Sequence, residues 1–240
     1  MQLVWPGALK PVNVTWHLEQ QSRSGGASIT GSEQIVSSGA GRWRASVDVV
    51  ARRHERRGPN RPSHPNAERE ESVLALRGFV AAMEGRVGEV VLPTFDGYRP
   101  RDDQGQMLSG CHQASLDGLF FFEHWGFGQD EFTHATLAAN ASLGATQITV
   151  NVLDGQGPRP GHYFGIGERL YIAQQTWQDD PDGVTFIRFA PRLRAAATSG
   201  TRVILDKPVC RMRLASDDTG ELVMQMGRWG QTTIEFVEVW

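Results

Sequence analysis

The constraint that bears hardest on this chain is a period of two. In "VNVTWHLEQ", Val12, Val14, Trp16 and Leu18 alternate with Asn13, Thr15, His17 and Glu19. Such alternation sets one face of an extended strand against a core and the other in water. The pattern returns in "RWRASVDVV", where Trp43, Ala45, Val47 and Val49 share a face opposite Arg44, Ser46 and Asp48. Strand-like stretches also surround Ile29 and Ile35, so residues 1–50 are expected to be β-rich.

Residues 52–66, "RRHERRGPNRPSHPN", break the pattern. They are basic and rich in Pro and Gly, and they contain no aromatic residue to stack a base, so they read as a solvated loop and not a phosphate-binding arm. A helix is expected next, over about 67–84. Asn66 can cap it, Glu68, Glu70 and Glu71 favour its dipole, and Val73, Leu76, Phe79, Val80 and Met83 form an apolar stripe ended by Gly85. "GEVVLP" reads as a short buried strand.

The texture changes near 136. Ile148, Val150 and Val152 mark one strand, and "YFGIGERLYI" marks a hairpin turning at Gly167. "VTFIRFAPRLR" and "TRVILD" add two more. Five short strands with polar turns predict a small barrel. Long alternating strands return after Pro208, and "TTIEFVEVW" predicts an ordered, buried end. The expected fold is mainly β with one packed helix. A β-sandwich-like core domain, residues 1–135 plus 208–240, is interrupted by an inserted β-barrel at 136–207.

Chemistry is sparse. Gly165-Ile-Gly167 lacks the third glycine of a dinucleotide fingerprint, since Leu170 stands there, and no Gly-Lys-Ser/Thr follows. No cofactor is therefore expected. Cys111-His112 with His124 and His134 is the best metal candidate, but its spacing matches no closed zinc pattern, and no metal is expected. Asp102-Asp103, Asp179-Asp180 and Asp217-Asp218 read as solvated turns. With no nucleophile elbow either, no catalytic residue is assigned.

Net charge is −3, so no global field draws the chain to nucleic acid, and no sequence-specific nucleic-acid binding is expected. The N-terminus lacks a basic stretch followed by a long apolar run, and no segment approaches a membrane span. Synthesis in the cytoplasm without a membrane anchor is expected. Phe120, Phe122 and Trp125 load the irregular segment 94–135 with apolar surface and mark it as a contact candidate, as does Trp177 in the barrel.

Three stretches resemble the distal tail proteins of long, flexible-tailed bacteriophages. They are "GRWRASVDVV" with the helix "ESVLALRGFVAAMEGRVGEVVLP", the module from "AANASLGATQITV" through "PRLRAAATSGTRVILDKPVCRMRL", and the closing "GELVMQMGRWGQTTIEFVEVW". Together they cover most of residues 41–240, and segment 94–135 departs from the pattern. The resemblance implies a non-enzymatic virion protein at the tail tip, forming a hexameric ring with copies of itself. Its other partners would be the tail tube protein, the baseplate hub, the fibre proteins and the tape-measure protein. Two readings compete with it. One is a host-surface carbohydrate-binding module using Trp177, with Tyr163 and Tyr171 read first as barrel core and second as sugar contacts. The other is a hydrolase using His112, His124 or His134 as base.

Overall fold

In a computed structural model of the chain, residues 2–7, 9, 11–37, 39–52, 72–101, 105, 134–179, 183–219, 223–225 and 229–240 are described. Among these the fold is mainly β. Strands β1 (Gln2–Val4), β2 (Pro11–Glu19), β3 (Ser22–Ala27), β4 (Glu33–Ser37) and β5 (Arg42–Arg52) come first. Helix α1 (Ser72–Met83) and β6 (Glu89–Pro93) follow. Then come β7 (Ala135–Leu137), β8 (Gln147–Val152), β9 (Tyr163–Ile166), β10 (Arg169–Asp179), β11 (Val184–Ala190) and β12 (Arg202–Ile204). β13 (Val209–Leu214), β14 (Val223–Gln225) and β15 (Trp229–Glu238) close the chain.

The chain divides into two compact units. The first comprises Met1–Glu19, Arg42–Pro93 and Arg211–Trp240. The second comprises Gln20–Gly41 and Thr94–Cys210, so that Gln20–Gly41 is grouped with the barrel segment.

The first unit is built on a sheet in the order β1-β6-β13-β15-β5-β2, with β14 beside β15. The alternation in β5 is realised in full: Trp43, Ala45, Val47 and Val49 are all buried. β2 departs at its start, because an irregularity between Pro11 and Asn13 shifts the register and leaves Val12 68% exposed. The helical stripe is also realised: Val73, Leu76, Phe79 and Met83 are buried, and Val80 is half-buried. The capping residues expected before Ser72 lie outside the described residues. Phe79 carries the helix onto the sheet, its ring 5.4 Å from Trp5 and 6.5 Å from Phe236. Past Met83 the backbone turns at Glu84 and Gly85, both at positive φ, and the Gly88 N–H closes the helix on the Met83 carbonyl.

The closing strand is held in the sheet, but the expected burial stops short of the last residue, Trp240, which is 60% exposed. β15 lies between β13 and β5, with Ile234, Phe236 and Val237 buried. Glu238 is buried as well; its carboxylate accepts from the Trp43 N–H at 3.1 Å, and its carbonyl accepts two bonds from Arg42. Burial and the neighbouring Arg213 lower the Arg42 pKa, against the pull of Glu238.

The second unit contains a closed barrel of six strands, β10-β11-β8-β7-β12-β9. Sequence reading expects five: "TRVILD" supplies β12, and the strand it misses is β7, whose three residues are too few to show a period. Phe164, Tyr171 and Phe189 fill the interior with ring centroids 5.2–5.6 Å apart. Ile148, Val150, Ile187, Val203 and Leu205 pack around them. The β9–β10 hairpin turns at Gly167-Glu168, with Gly167 at φ 59°, so the glycine pair serves a turn, as its flanks predict.

Candidate assembly surface

The exposed ribbon β3–β4 stands apart from everything else described. Its sequence, "SRSGGASITGSEQIVS", is dominated by Ser and Gly and offers little to bury. Every residue from 20 to 37 is exposed, on both faces. Ile29 is fully exposed, and Ile35 and Val36, adjacent and so on opposite faces, are 62% and 58% exposed. Ile29 lies in the turn and not in a strand. The tip is held locally: the Ser28 N–H donates to the Ser32 carbonyl, the Gly31 N–H to the Ser28 carbonyl, and the Ser28 hydroxyl meets those of Thr30 and Ser32 at 2.8 Å. Within this unit the stem is fixed by Arg194, whose guanidinium donates to the Gly41 carbonyl, and by Arg192. At Gly39, which has φ 62°, a Cβ would lie 2.5 Å from the Arg192 Nε. A side chain there would strain the backbone and displace the Arg192 guanidinium.

A two-stranded ribbon is marginal in water without a third strand or a packed face. This one presents two unpaired strand edges and apolar groups on both sides. Among the described residues of the first unit, β2 pairs with β5 alone, which leaves its nine-residue outer edge without a strand neighbour. Charge flanks it, with the Arg44 guanidinium 2.9 Å from Glu19 holding that carboxyl below its usual range. An open edge and a naked ribbon are surfaces for another chain.

The residues singled out in the sequence fall differently. Phe120, Phe122 and Trp125 lie outside the described residues, as do Cys111, His112 and His124. His134 is buried, with Nδ1 3.2 Å from an Asp154 oxygen, and its carbonyl accepts from the Leu153 and Asp154 N–H groups. These bonds fasten one end of the barrel. No group of three metal-ligating side chains occurs among the described residues.

Tyr171 is interior and only 1% exposed, its hydroxyl accepting from the Arg194 N–H. It belongs to the barrel core, the use read first for the tyrosines, and is unavailable to a sugar. Tyr163 is half-buried, and burial followed by the charge of Asp96 raises its phenol pKa. Trp177 is 41% exposed. An irregularity between Ala173 and Gln175 separates the two fates. Before it, Tyr171 and Ala173 point into the barrel; after it, Gln175 and Trp177 point out. Odd numbering alone would have set all four on one face.

Sequence reasoning missed the ribbon as a surface, although its Ser/Gly content with few apolar residues was a readable sign that it builds no core. Compared with known proteins, the chain matches no family model and no curated sequence. No described helix is long and apolar enough to cross a membrane.

Proposed function

We propose that this chain is a structural virion protein, a ring-forming distal tail adaptor that joins a tail tube to a baseplate hub and fibre. The observation that carries the proposal is the β3–β4 ribbon, exposed on both faces with apolar residues on each side. A catalytic role does not call for such an arm, whereas an assembly covers it. The open outer edge of β2 supports the same reading, because a repeated head-to-tail contact pairs one subunit's edge with the next. So does the resemblance of residues 41–240 to distal tail proteins. On this reading the protein is not an enzyme, works at the tail tip and has copies of itself as its first partner.

The test is quantitative. Particles carrying the chain should contain about six copies each, and a labelled antibody against the barrel should decorate the tail tip. Capsid-like copy numbers, or label on the head, would refute the adaptor.

A further inference from the structure

The outer wall of the barrel carries a second surface, independent of the assembly role. Register places Trp177 of β10 opposite Phe186 of β11, and Phe186 opposite Thr149 of β8. The two rings lie parallel, 4° apart in plane with centroids at 5.6 Å. The next row on the same face is Gln175, Arg188 and Gln147, all exposed. The row on the other side is Asp179, half-buried Val184 and exposed Asn151. Three neighbouring strands thus present a stacked aromatic pair, one indole face turned to Phe186 and the other free of it, with amides, one hydroxyl and one guanidinium in the bordering rows.

We infer that this face binds a neutral saccharide, with Trp177 as the stacking platform. The face of an indole carries negative charge density and attracts the polarised C–H groups on the flat side of a sugar ring. Each amide both donates and accepts, which matches hydroxyls that do the same, and Arg188 adds donors. The wall suits other partners less well. Single-stranded nucleic acid needs a groove of several cations along its backbone, and these rows supply Arg188 alone. The centre of a protein contact is apolar over a wider area than one ring pair with amides on both sides. The irregularity between Ala173 and Gln175 has a use here, because without it Trp177 would point into the barrel.

The test titrates the full chain with neutral oligomers of glucose, galactose and N-acetylglucosamine, read by calorimetry and tryptophan fluorescence. Saturable binding is expected, weakened about tenfold or more in Trp177→Ala. Trp177→Phe should keep part of it, and Gln175→Ala should lower it. Ile35→Ser, on the ribbon, should bind as wild type. Thermal melting of each variant separates a lost contact from a lost fold. Failure of every oligomer to bind, or unchanged affinity in a folded Trp177→Ala protein, overturns the inference. Binding of a dT oligonucleotide that disappears in high salt, without saccharide binding, overturns it equally.

Discussion

The barrel and the ribbon are made of the same unit, an antiparallel hairpin, and they end in opposite states. The barrel closes its six strands on one another, and closure leaves no unpaired edge. Its inward positions are filled by Phe164, Tyr171, Phe189 and branched aliphatics. In the ribbon the same ladder has two strands, small polar residues and no layer beneath. The difference teaches where each draws its stability. The barrel's comes from burial inside one chain; the ribbon buries almost nothing, and on the proposed reading a neighbouring copy supplies its cover.

The comparison can be broken by removing burial where it is thought to matter. Deleting residues 232–240 takes out most of β15, the strand between β13 and β5, together with Ile234, Phe236 and the Glu238 carboxylate. Loss of the first unit's cooperative transition is expected, seen as a missing unfolding step in calorimetry. Within the barrel, Phe164→Ala should cost about 3–5 kcal/mol in denaturant unfolding, because a fully buried ring leaves a cavity among rings that cannot collapse into it. At the barrel's turn, Gly167→Val should cost about 1–2 kcal/mol. No atom lies within 4 Å of the added Cβ, so that penalty is backbone strain and not a clash.

Protonation gives a finer probe. Burial, and then the charge of Arg159, lower the His162 pKa below its ordinary 6.5. The unfolded chain therefore binds the proton more readily, and stability falls as pH drops from 6.5 toward the folded value. Melting curves between neutral and mildly acid pH should show this slope, reduced in His162→Gln. The smallest effect belongs to the ribbon. Ile35→Ser or Val36→Ser should change the isolated chain's stability by no more than about 0.5 kcal/mol, while weakening assembly. A large loss of stability in the isolated chain would show that the ribbon is already packed.

How much of this was legible in the sequence depends on whether a periodicity survives. The faces of β5 and α1 could be read because their apolar residues keep a steady phase, from Trp43 to Val49 and from Val73 to Met83. The Gly167 hairpin was legible because two apolar runs flank it. β7 was not, being three residues long and a strand only through its neighbours. Val12 was assigned to the wrong surroundings because a register irregularity displaces it, and nothing in the residue types announces it. The ribbon's strands were read near Ile35, but its exposure depends on what is absent around it, which residue patterns do not encode. The contact candidates Phe120, Phe122 and Trp125 belong to a segment outside the described residues.

The most direct test of the account is a cryo-electron reconstruction of a tailed particle carrying this chain. It should show a closed ring of the chain below the tail tube, with residues 22–37 of each copy covered by the adjacent one. A single copy, a place in the capsid, or a ring whose ribbons stand free in solvent would contradict it.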